Sequence, residues 1–207
     1  LDLSLVPAAL VAARLYIAEN SAKKALRVIE ETWEKQPHPD LAEVYAHARP
    51  GDGPEPRFER LRDLVKRHPG GIEGAYALAR AAGLAQRWDV ARQTLEPWLE
   101  DQPQARICAL MADIEEASGD KGRAREWLAR ALRGTADPMW VADGVASPRW
   151  VPVSPVTGEI TRCEWKVPFE AAALPDSIAP KAIATAAPVK AIEGAKPAER
   201  LPVPDDP

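Results

Sequence analysis

The sequence predicts an all-α protein: an α-solenoid of about four helical hairpins, closed by a small irregular or β-rich cap and followed by a disordered tail. Two observations carry this expectation. Ala91, Leu95, Trp98 and Leu99 recur thirty-three residues later as Ala124, Leu128, Ala131 and Leu132. Each set falls at i, i+4, i+7 and i+8, the spacing of one apolar stripe on a helix. Prolines stand twelve residues after three of the lead positions, pairing Ala25 with Pro37, Arg57 with Pro69 and Ala91 with Pro103. The leads at 25, 57, 91 and 124 are separated by 32, 34 and 33 residues, and a period of that length marks a stacked array.

The first hairpin is predicted over residues 8–19 and 22–35, with Asn20-Ser21 as turn and cap and Ala25, Ile29, Thr32 and Trp33 as the stripe. In the second, Pro50-Gly51-Asp52-Gly53-Pro54 ends the first helix early and Arg57 replaces the small lead residue. Leu61, Leu64 and Val65 still form a stripe. The third hairpin has Leu78-Ala79 in its first helix and Leu95 in its second; the fourth has Met111-Ala112, Gly119, Ala124 and Leu128. These hairpins occupy residues 1–135. Residues 136–168 hold Trp140, Trp150 and Trp165 among turn formers and Val, a composition for short strands. A solenoid must cover its last apolar face, so the three tryptophans are expected to pack on the eighth helix. Residues 169–207, rich in Ala, Pro and Lys, are predicted to be disordered.

The repeat pattern resembles the tetratricopeptide repeat, with Ala79, Ala91 and Pro103 at three signature places. The segment Asp137-Pro138 to Trp140, Trp150 to Gly158 and Glu164 to Pro168 further resembles the carboxyl-terminal region of HemY-family proteins. That resemblance implies a non-enzymatic scaffold at the cytoplasmic membrane, with an upstream anchor and haem-biosynthesis enzymes as partners. In many HemY relatives this region looks like a rubredoxin-type zinc ribbon. Here the corresponding places hold Ala142, Val145, Ser154 and Thr157, none of which supplies the thiolate or imidazole that zinc needs. The alternative reading is a general peptide-binding adaptor, for instance in envelope lipopolysaccharide regulation.

A formal charge of −4 and a pI near 5.5 leave no basic footprint for nucleic acid. Cys108 and Cys163 are too few for a disulfide framework or a thiolate metal site. The apolar segment 3–18 contains Pro7 and Arg14 and is too short to span a bilayer. The opening at Leu1 is read as the start of a carboxyl-terminal piece whose anchor lies upstream.

Catalytic constellations are weak. His38, His47 and His68 show no ligand or triad spacing, and Gly70-Gly71 is too short to cradle phosphate. No catalytic residue, cofactor or metal is expected. The first helix of each hairpin should line a concave face for protein partners, presenting Arg14, Tyr76, Arg80, Arg106 and Asp113. Arg14 and Arg80 could clamp a carboxylate on a partner peptide, the competing reading being a solvated face. The Lys/Asn carboxylate clamp best known in the tetratricopeptide family is absent, which disfavours a chaperone-tail receptor.

Overall fold

The computed structural model describes residues 5–168; the tail expected from 169 lies outside them. Among the described residues are eight α-helices and a three-stranded sheet. The helices are α1 (Val6–Ala18), α2 (Ala22–Lys35), α3 (Pro39–Ala46), α4 (Pro54–Arg67), α5 (Gly71–Leu84), α6 (Trp88–Leu95), α7 (Ala105–Ser118) and α8 (Lys121–Ala131). Within hairpins α1 packs on α2, α3 on α4, α5 on α6 and α7 on α8. Between hairpins α2 meets α3, α4 meets α5 and α6 meets α7, while the first helices α1, α3, α5 and α7 also touch in series.

Local chemistry sets the helix ends. Prolines occupy the first turns of α1, α3 and α4, where their missing N–H is not needed. The side chain of Asp120 caps α8 by accepting from Arg123 N, and Gly119 closes α7 in the left-handed conformation at φ 101°. Lys66 and Arg67 lie in the last turn of α4, against the negative end of its dipole.

The stripes form the core. Ala25, Ile29, Trp33, Leu64, Ala91 and Leu95 are fully buried. The Trp33 indole donates from Nε1 to His68 O at 2.9 Å, tying the first hairpin to the end of the second. Gly70 follows in the left-handed conformation at φ 65°, and a Cβ there would lie 2.7 Å from the Trp33 ring. The role of Gly70 is therefore to let the chain turn tightly over an indole.

The cap forms a sheet, but in a different place from the one expected. Strand β1 (Met139–Ala142) pairs antiparallel with β2 (Val145–Ser147) and with β3 (Glu164–Lys166), giving the order β2-β1-β3. Asp143 and Gly144 form the two-residue turn, both at positive φ, as a tight hairpin requires. The sheet does not cover α8, where Leu128 and Leu132 stay exposed. Instead, Trp140 stacks on His38 at the start of α3, with ring centroids 4.9 Å apart, and Trp165 meets the same imidazole edge-on at 4.4 Å.

Two causes direct it there. The antiparallel course of α8 brings the chain back beside the start of α7, where Thr135 accepts from Ala105 N and donates to Pro103 O in a parallel bridge opposite Gln104. Gly134 permits that approach, since a Cβ would lie 2.9 Å from Ala105. In addition, a half-buried indole N–H requires an acceptor. Trp165 finds one in Glu73, 3.3 Å away.

Candidate binding groove

The interruption at residues 50–54 leaves α3 with 8 residues, against 14 in α5. The second half of α5 therefore runs past the end of α3 without a full-length neighbour. A cavity of about 160 Å³ opens there, between α3, the start of α4 and α5. Ala42, Ala46, Leu61, Ala77 and Ala81 give it an apolar wall, and Tyr76, Arg80, Glu43, His47 and Arg57 supply polar groups. A volume below the roughly 300 Å³ at which small-molecule sites begin suits a single inserted side chain.

Arg57 is the residue that sequence reasoning passed over. Its position is the small lead of the other hairpins, where Ala25, Ala91 and Ala124 are buried. In α4 the long side chain instead lines the cavity, and its Nε is buried with no hydrogen-bond partner among the described residues. The available signal was the one non-Ala lead in four. A departure from the repeat does not by itself show a guanidinium placed in an apolar groove.

The predicted partner residues divide into separate groups. Tyr76 and Arg80 come together on this cavity; Arg80 approaches Glu43 at 3.8 Å, and both side chains are more than half exposed. Arg14 lines an adjoining depression with Ile17, Asp40 and Val44, which shares Glu43 and His47 with the first. Asp113 is exposed on α7 and lines neither.

Arg106 is not on the groove wall. It forms a two-pronged pair with Glu73 at 2.6 and 2.8 Å, the side chains being 12 and 9 % exposed, and its guanidinium lies 5.2 Å from the Tyr76 ring centre. Its backbone N–H donates to Asp137 Oδ1, so the loop before β1 caps α7. Sequence alone could not distinguish this buried cation from an exposed one, because its partner lies a whole hairpin away.

The tryptophans named for cap packing are Trp140, which is buried, and Trp150 and Trp165, which are partly buried against the core. His38, against Trp140 and Trp165, accepts from Asp40 N through Nδ1, while its Nε2 is buried with no partner among the described residues. Burial holds its basicity below the ordinary histidine value; Asp40 and Glu73 oppose that shift, and Arg106 reinforces it. Tyr45 lies behind the groove, its hydroxyl pushed up to about 12 by burial and by its bond to Glu30. Of the four positions compared with a zinc ribbon, Ala142 is buried in β1, Val145 begins β2, and Ser154 Oγ accepts from Val156 N and Thr157 N.

No family model matches the chain. It is similar to a probable magnetosome protein, Mms48, of Magnetospirillum gryphiswaldense, being 29% identical over 180 residues, 84% of this chain and 40% of that protein. The chain thus spans about two fifths of the relative's length. This similarity corrects the resemblance drawn above. Neither a HemY nor a tetratricopeptide family emerges, and the haem-biosynthesis partners that rested on it are withdrawn. Among the described residues no helix is long and apolar enough to cross a membrane.

Proposed function

We propose that the four hairpins form an α-solenoid that serves as a non-enzymatic protein-interaction module. Its groove over α3, α4 and α5 grips a partner segment that presents one apolar side chain beside a carboxylate. The observation that carries this reading is the Arg57 guanidinium, held in an apolar groove with its Nε unpaired and with Arg80 lining the same cavity. An incoming carboxylate would pair with the guanidinium groups of Arg57 and Arg80 that line the groove, while the alanines receive the neighbouring apolar group. The buried carboxylates supply no rival chemistry, because Glu73 is paired with Arg106 and Glu115 with Arg92.

Selection from a random displayed-peptide library on the immobilised chain tests this. The recovered peptides should share an acidic residue next to an apolar one. Arg57→Ala should weaken their capture by about 2 kcal/mol, roughly thirtyfold. Tyr76→Ala and Arg80→Ala should weaken it less, and the exposed Lys66→Ala and Lys121→Ala should leave it unchanged. Peptides without an acidic residue, or equal losses at Lys66, would remove the reading.

A further inference from the structure

Arg14, Ala46, Arg80 and Asp113 hold one and the same place in the first helices of the four hairpins, because the repeat offsets of 32, 34 and 33 residues carry each into the next. The helices α1, α3, α5 and α7 touch in that order, so the four residues form a row across them. Arg14, Arg80 and Asp113 are exposed, and Ala46 is buried. Arg80 and Asp113 stay open although a hairpin precedes each, so this place is open by its position on the helix and not by where the chain starts.

The ground between the two arginines is continuous. The cavity between α3, α4 and α5 and the depression between α1 and α3 share Glu43 and His47, so a trough runs from Arg80 across α3 to Arg14. Packed helices lie about 8–10 Å apart, which sets the places of Arg14 and Arg80, one on each side of α3, roughly 16–20 Å apart. An extended chain rising about 3.3 Å per residue covers that distance in roughly five or six residues. Midway, the trough presents Glu43, more than half exposed, which repels an acid placed there. Beyond Arg80 the row turns negative at Asp113, so the α1 side is the one that favours a further anion.

Resting on the groove reading, in which Arg57 and Arg80 take one carboxylate, we propose that Arg14 takes a second. The partner is then an extended segment with two acidic residues about five or six positions apart, the further one lying over α1. Arg80 is free to serve the first acid, because its approach to Glu43 at 3.8 Å joins two exposed side chains and is readily exchanged. The Arg14 contact is exposed as well, so it selects among segments that the groove already anchors.

Labelled synthetic peptides test this, each with a Leu-Asp core in a Gly/Ser chain and a second Asp set at increasing distance on either side. Fluorescence anisotropy on titration with the 207-residue chain reads the affinity. Binding should tighten about threefold to fivefold at a spacing of five or six, on one side of the core only, with no gain at two or three. Arg14→Glu should abolish that gain, and Lys in place of the second Asp should restore it for this variant, an exchange of charge that a merely misfolded protein does not reproduce. If the core peptide binds through Arg57 but the second Asp gains nothing, gains equally at every spacing, or gains as much with Arg14→Glu, the second subsite is refuted and the groove reading stands. If no peptide shows binding that Arg57→Ala weakens, both are overturned.

Discussion

Replacing Arg106 by Met should destabilise the protein severely while leaving the groove's ligand binding intact. Arg106 and Glu73 are close to fully buried, and the same Glu73 oxygen that receives the guanidinium at 2.6 Å also receives the Trp165 indole at 3.3 Å. Arg106→Met retains much of the side-chain volume but leaves the Glu73 carboxylate in a poorly solvated site with only an indole donor. Breaking a buried pair on one side costs about 3–5 kcal/mol. At 2–4 °C per kcal/mol for a chain of this length, the melting temperature should fall by roughly 6–20 °C. Thermal unfolding followed by circular dichroism and tryptophan emission reads this directly. The double variant Arg106→Met with Glu73→Leu should recover most of the loss, since replacing both members of a buried pair by apolar groups is often neutral or stabilising. If Arg106→Met melts like the parent and yet loses peptide capture, the residue belongs to the binding surface, and the structural role assigned to the pair is wrong.

Acid should loosen the sheet. His38 is held neutral, so it contributes stability that is present above the ordinary histidine value of 6.5 and is lost as pH falls below it. Protonation would also end the Nδ1 bond from Asp40 N. The urea midpoint should therefore drop between pH 7 and pH 5, and His38→Asn, which can cap but not titrate, should flatten that slope; parallel slopes would refute the role. Gly70→Ala should cost about 1–2 kcal/mol for the left-handed backbone plus the displacement of Trp33, and should shift tryptophan emission. Gly71→Ala, at φ 58° with open space around its Cβ, should incur the backbone cost alone, so equal melting temperatures would contradict the contact with Trp33. Elemental analysis should find no stoichiometric zinc, because among the described residues no three His, Cys, Asp or Glu side chains come together to hold one; one bound zinc per chain would disprove this.

The helices were legible because each stripe repeats at a period that only stacked hairpins need, and Ile29, Trp33 and Leu95 lie in the core for that reason. The shortness of α3 was legible too, in two prolines and two glycines within five residues. What those features produce together was not. Arg57 shows as a departure from the repeat, and only the geometry of α3 against α5 converts that departure into a site. The docking of the sheet was beyond reach because it depends on contacts such as Trp165 to Glu73, 92 residues apart, which leave no periodic trace. Periodicity was misleading at α8, where Leu132 matches Trp33 in register but not in burial.

The position of the sheet also bears on how the molecule comes apart. An array of hairpins whose contacts reach only to immediate neighbours can open from one end, each unit leaving at its own cost. Here the last strands grip His38 of the second hairpin and Glu73 of the third, and Asp137 holds the start of α7. The fourth hairpin therefore cannot fray without also stripping aromatic cover from the second. Amide exchange across α3, α5 and α7 should accordingly report one shared opening rather than a gradient along the chain, so that a largely local topology unfolds as a single cooperative body.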